Sequence, residues 1–100
     1  MKKDTEVTDM IFRVDTAKEY KDNVFALFPH EVCTRKGDVT TYQHIGQHSS
    51  GDYKACISQS RPATEQEYKD LKAELDSIGY NINIVKKQNY KKYLISYRKR

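Results

Sequence analysis

There is no tryptophan in these 100 residues, and there are only two cysteines, two prolines and four glycines. Two cysteines exclude a disulfide-dense secreted scaffold, in which several bridges replace a small core. The glycines, at 37, 46, 51 and 79, are scattered. P-loops and dinucleotide fingerprints need clustered glycines to bring backbone amides up to phosphate, so both are excluded. No run approaches the ~20 apolar residues of a membrane helix. The opening Met1-Lys2-Lys3-Asp4-Thr5-Glu6 lacks the apolar stretch of a secretory signal. These absences lead to the expectation of a cytoplasmic protein with no membrane insertion and no cofactor.

Apolar residues make up 37% and charged residues 32%. The apolar share is low, but it is clustered, which favours a folded chain over a disordered one. The length suits a single domain. Charge is unevenly divided. Residues 86–100 hold seven cations (Lys86, Lys87, Lys91, Lys92, Arg98, Lys99, Arg100) and no anion, while the first 85 residues hold 11 basic and 14 acidic groups. A mildly acidic body with a strongly basic end points to an anionic partner at that end, or to a charge that serves solubility alone.

Met10, Ile11, Phe12 and Val14 form a β-prone run, and residues 16–23 read as a turn or loop. The strongest apolar run, Val24-Phe25-Ala26-Leu27-Phe28, is short and stops at Pro29, which predicts a central strand buried on both faces and ending there. Val32-Cys33 and Val39-Thr40-Thr41-Tyr42 flank Arg35-Lys36-Gly37-Asp38, a hairpin pattern with Gly37 at the turn. Gly46, Ser49, Ser50 and Gly51 read as a loop. Tyr53, Ala55 and Ile57 alternate with Lys54, Cys56 and Ser58, the period of a half-buried strand. Thr64 and Glu67 make a capping box, Tyr68, Leu71, Leu75 and Ile78 recur at helical spacing, and Gly79 suits a C-terminal turn. A helix is predicted over residues 64–78, and a strand over 81–86. The end of the chain reads two ways. Tyr90, Tyr93, Leu94 and Tyr97 share a helical face, yet residues 93–97 are β-prone. The predicted class is α+β: one small domain with an antiparallel sheet of four to five strands and one amphipathic helix on one face. The expected boundaries are a flexible N-terminus at 1–9, the domain at 10–87 and a basic aromatic tail at 88–100.

Three constellations could carry chemistry. His30, Cys33, His44 and His48 have spacings found among zinc ligands, with Cys56 as a further thiol. Paired cysteines are missing, however, and Gly46 interrupts any helix that would align His44 with His48. The alternative is that these histidines hydrogen-bond around a turn. Cys33 or Cys56 with a histidine could form a thiolate pair, and Ser49 or Ser50 could replace the thiol, but no third orienting group is evident. The third constellation interleaves cations with aromatics: Lys86, Lys87, Tyr90, Lys91, Lys92, Tyr93 and Arg98. Cations neutralise phosphates and tyrosines stack on exposed bases.

The segments 24–29, Tyr42-Gln43-His44-Ile45-Gly46-Gln47-His48-Ser49-Ser50, and Pro62-Ala63-Thr64-x-x-Glu67-Tyr68-x-x-Leu71 together resemble a family of small uncharacterised proteins of gut Bacteroidota genomes and mobile elements. The resemblance covers roughly residues 11–87. It implies a bacterial cytoplasmic setting and carries over no catalytic residue. The expectation from sequence is a non-catalytic accessory or binding module with a protein partner, recognised through His44, Gln47, His48, Ser49, Ser50 and Asp52. The alternatives are a nucleic-acid-binding protein using the tail, and a small zinc protein or Cys/His enzyme.

Overall fold

The computed structural model describes residues 7–16, 23–43 and 47–99. Its elements in chain order are β1 (Thr8–Asp15), β2 (Val24–Val32), β3 (Val39–Gln43), β4 (Gln47–Gly51), α1 (Tyr53–Ser58), β5 (Ser60–Pro62), α2 (Glu65–Ser77), β6 (Ile82–Ile84) and α3 (Tyr90–Arg98). They form one α+β domain. The strands run in the order β4-β3-β2-β1-β5, antiparallel throughout, and β6 lies parallel to β1. Carbonyls two residues apart on a strand point to the same edge. Met10 O accepts from Val85 N–H at 2.9 Å and Phe12 O from Ala63 N–H at 3.0 Å. Therefore β6 and β5 share one edge of β1 end to end, and β2 occupies the other edge.

The β2 alternation behaves as its residue pattern predicts. Ala26 and Phe28 join Met10, Phe12, Tyr42, Leu71 and Leu75 on the face covered by α2. Phe25 and Leu27 join Ile11 and Val39 on the opposite face, against Tyr53, Cys56 and Ile57 of α1 and Tyr93 of α3. Leu27 and Phe28 are completely shielded from solvent. The sheet thus carries helices on both faces rather than one.

The capping box of α2 is present. Thr64 Oγ accepts from Glu67 N–H at 3.3 Å, and Glu67 Oε1 accepts from Thr64 N–H at 2.9 Å. Gly79 follows with φ +106°, a left-handed conformation that glycine adopts without strain. The β2–β3 hairpin is also present. Gly37 has φ +92°, and a Cβ there would collide with the Tyr93 hydroxyl.

Three readings are corrected, and one that stood open is decided. Ser49, Ser50 and Gly51 lie in β4, paired with Thr41, Thr40 and Val39, not in a loop; Gly46 lies outside the described residues. Tyr53, Ala55 and Ile57 belong to a helix, not a strand. Asp52 caps it by accepting from Ala55 N–H at 3.0 Å, and Tyr53, Cys56 and Ile57 meet the core at i, i+3 and i+4 spacing. Pro29 does not end β2. The register with β3 shifts between Phe28 and Val32, so the missing N–H falls at an irregularity where the ladder is already interrupted. The chain end, read two ways, is a helix over Tyr90–Arg98. Among the described residues no helix is long and apolar enough to cross a membrane.

Candidate functional site

Of the expected recognition residues, His48 and Asp52 are committed to internal contacts. His48 stands on β4 with its ring 4.7 Å from Tyr42, edge-on, and its Nε2 hydrogen-bonded to the Tyr80 hydroxyl at 2.9 Å. Burial, and then the charge of Glu31, push the Tyr80 phenol above its ordinary range. Tyr42 donates in turn to Glu74 on α2. Asp52 is the N-cap of α1. Gln47 opens β4 opposite Gln43. Ser49 and Ser50 line a shallow depression of about 190 Å³ with Asp15, Thr41, Gln43 and Cys56. His44 lies outside the described residues.

Among the described residues, the metal and thiol constellations do not come together either. Asn89 N–H donates to His30 Nε2 at 2.6 Å, so the ring proton sits on Nδ1, which donates to Asp9 Oδ2 at 2.9 Å. Both nitrogens of His30 are therefore used. His48 packs with the aromatic residues of the α2 face, whereas Cys56 packs against the α1 and α3 face, so the sheet separates them. Burial, followed by the charges of Asp52, Asp15 and Asp38, raises the Cys56 pKa and keeps its thiol protonated. Among the described residues, no three His, Cys, Asp or Glu side chains converge in a way that could hold a metal ion.

The basic aromatic segment forms a built surface. Asn89 caps α3 by accepting from Lys92 N–H at 3.2 Å. The helix is seated on β2 and its hairpin. Ser96 Oγ accepts from Val32 N–H at 2.9 Å, Tyr93 donates to Gly37 O at 2.9 Å and Tyr97 donates to Arg35 O at 3.1 Å. Just before the helix, Gln88 Nε2 donates to Pro29 O and Gln88 N–H to the Tyr53 hydroxyl. Tyr90, Tyr93 and Tyr97 stack in a ladder with ring centroids 6.0 and 6.2 Å apart. Tyr90 is 66% exposed and Tyr97 41%. Partial burial, then the Tyr97 and Tyr90 hydroxyls, then Asp52 and Asp38, raise the Tyr93 pKa.

The Tyr97–Arg35 contact brings the hairpin cations Arg35 and Lys36 to the end of α3 that carries Arg98 and Lys99. Sequence reading treated Arg35-Lys36 as turn residues only. Their dibasic character was visible, but nothing local showed which element they would meet. Among the described residues, Lys86, Lys87, Lys91, Arg98 and Lys99 form no ion pair, while Lys92 pairs with Asp9 at 3.2 Å. Burial works against the Asp9 charge, yet hydrogen bonds from Asn83, Lys92 and His30 outweigh it and lower the Asp9 pKa. Lys91 and Lys92 occupy the first turn of α3, where no acidic residue stands. Cations at that end oppose the helix dipole by about 0.3–1 kcal/mol each. Asp9 offsets this for Lys92; Lys91 is held there at a cost to stability. Comparison with protein-family models, curated proteins and solved structures returned no match.

Proposed function

We propose that this protein is a non-catalytic binding module that holds single-stranded nucleic acid along α3 and the β2–β3 turn. One observation carries the reading: a tyrosine ladder, exposed at Tyr90 and Tyr97, lies between cations from two distant parts of the chain. Phosphates are neutralised by Lys87, Lys91, Arg98, Arg35 and Lys36, and a base stacks on the open face of Tyr90. Duplex can use the cations but not the ring, so single strands bind more tightly.

Fluorescence anisotropy with labelled single- and double-stranded oligonucleotides at several salt concentrations tests this. With about four phosphate contacts, log affinity for single strands falls against log salt with a slope of roughly −3. Tyr90→Ala weakens single-strand binding by about 1–3 kcal/mol and leaves duplex binding in place. Absence of binding at low salt, or an affinity unmoved by Tyr90→Ala and Arg98→Gln, refutes the reading.

The open edge of β4 favours a second reading. Among the described residues, β4 pairs only with β3, which leaves a five-residue edge able to accept an extended segment of a protein partner. Side chains of that segment would alternate into the depression at Ser49 and Ser50. Amide shifts confined to residues 47–51 on addition of a partner peptide, with none on α3, would favour it.

A further inference from the structure

His30 holds the start of α3 through an unprotonated nitrogen. It lies on β2 just past Pro29, with 12% of its side chain exposed. Its Nδ1–H donates to Asp9 Oδ2 at 2.9 Å, and its Nε2 accepts from Asn89 N–H at 2.6 Å. Nε2 can accept only while it carries no proton. Asn89 is the N-cap of α3. Its Oδ1 accepts from Lys92 N–H at 3.2 Å, and its carbonyl accepts from Tyr93 N–H at 3.0 Å. One imidazole nitrogen is thus joined to the residue on which the first turn of the helix is built.

The surroundings determine what a second proton does. Among the described residues, the charged groups bonded into this cluster are Asp9 from β1 and Lys92 from α3, whose Nζ donates to Asp9 Oδ2 at 3.2 Å. Asn83 from β6 donates to Asp9 Oδ1 at 2.9 Å and is neutral, as are Gln88 and Asn89. Glu31, beside His30 on β2, acts on Tyr80, which packs on the α2 face. Burial works against the Asp9 charge, but bonds from Asn83, Lys92 and His30 outweigh it and hold its pKa below the ordinary value. Asp9 is therefore ionised wherever a histidine titrates, and a carboxylate accepts more strongly from an imidazolium than from an imidazole. The Asp9 bond survives protonation and keeps the ring in place. The new Nε2–H then faces Asn89 N–H, donor against donor. Turning the ring would sacrifice the Asp9 bond, so the Asn89 amide gives way. Asn89 is exposed, and water can take up its N–H.

We infer that His30 is a proton-operated latch on α3. Neutral, it holds Asn89 and the first turn. Protonated, it releases them, while Tyr93, Ser96 and Tyr97 keep the rest of the helix on β2 and its hairpin. The seated form excludes a proton that the released form accepts. Seating is therefore complete at higher pH and is lost as pH falls through the titration of His30. The released turn carries Tyr90 and Lys91. Any effect on nucleic-acid binding rests on the reading proposed above; the latch itself does not, and it is tested on the protein alone.

The test is a ¹H–¹⁵N NMR titration of the full chain from about pH 8 to about pH 5, following the histidine rings and the backbone amides together. At the upper end His30 should show the Nδ1–H tautomer. As it takes its second proton, the amides of Asn89, Tyr90 and Lys91 should move with the same midpoint. Exchange protection of the Asn89 amide, corrected for the intrinsic pH dependence of exchange, should fall roughly threefold to tenfold. Protection of the Tyr97 amide should be unchanged. His48, bonded to Tyr80, is the internal control, and its titration should leave the first turn unmoved. In His30→Gln the side-chain carbonyl can still accept from Asn89 N–H but takes no proton in this range, so the step should vanish. Should that variant fail to fold, the wild-type titration with its His48 control decides alone. The latch is overturned by a His30 that takes up no second proton down to about pH 5, or by first-turn amides that stay fixed while it titrates. Amides that follow His48 instead, or a step that survives in folded His30→Gln, would overturn it equally.

Discussion

Ser96→Ala removes one oxygen and tests how α3 is held. Cys33 N–H donates to Asp38 O across the β2–β3 hairpin, so the Val32 N–H, one residue earlier, points away from β3. Ser96 Oγ accepts that N–H at 2.9 Å, and Val32 is 5% exposed. A buried donor stripped of its acceptor costs about 1–3 kcal/mol. Ser96 is only partly buried, so water can reach the vacated position, and the lower half of that range, about 1–2 kcal/mol, is expected. Against a total of about 5–15 kcal/mol for a small domain, this is a measurable fraction. The melting temperature should fall by about 4–16 °C, at about 4–8 °C per kcal/mol. Thermal and urea melts followed by circular dichroism read this directly. Hydrogen exchange at the Val32 amide should accelerate beyond the global change. Ser96→Thr retains the hydroxyl and should recover most of the loss. An unchanged melt in Ser96→Ala, or equal losses in both variants, would show that the hydroxyl does not hold α3 to β2.

Leu27→Ala empties a fully shielded position on a central strand and should cost about 2–5 kcal/mol; a urea midpoint within error of wild type would remove Leu27 from the core. Thr64→Ala removes one half of the capping box and should cost about 1 kcal/mol, read from the same melts. Hydrogen bonds from Arg61 and from the Thr64 amide lower the Glu67 pKa from 4.5 to about 2. A carboxylate lowered on folding contributes stability above its unfolded pKa, and this is lost as pH falls from 4.5 towards 2. Acid titration of helical ellipticity should therefore show a limb in that window that Glu67→Gln flattens, and an identical limb in the variant would contradict the assignment.

Where a local rule decides the conformation, the residues were readable. Thr64 and Glu67 cap α2 through contacts three residues apart, and Gly37 turns the hairpin through its own φ. The five apolar residues of β2 could alternate only if both faces were covered. What covers the second face was not readable. Six residues from Tyr53 to Ser58 satisfy the strand period and the helical spacing 53, 56, 57 equally well, and the Asp52 cap decides between them. β4 is built from Gln, His, Ser and Gly, residues with weak strand preference, and becomes a strand because β3 offers it a paired edge. The candidate site divides in the same way. The cations of residues 86–100 could be counted along the chain. That Arg35 and Lys36 join them depends on Tyr97 reaching a carbonyl 62 residues away.

The seat of α3 also determines which experiments can separate binding from folding. Tyr93 packs on the cluster of Ile11, Phe25, Leu27 and Val39, and Gln88, Asn89, Ser96 and Tyr97 bond to β2 or its hairpin. Removing residues 88–100 would uncover that cluster and leave Asp9 without Lys92. Its loss of nucleic-acid binding would then be inseparable from loss of the fold. Tyr90, Lys91 and Arg98 are different. They are exposed, and among the described residues Lys91 and Arg98 have no ion-pair partner. Replacing Lys91 should even stabilise α3 slightly, since it removes a cation from the positive end of the helix dipole. A substitution that weakens binding while raising the melting temperature cannot act through unfolding. Lys91→Gln is therefore the variant in which the electrostatic role of this face and its structural role predict opposite signs.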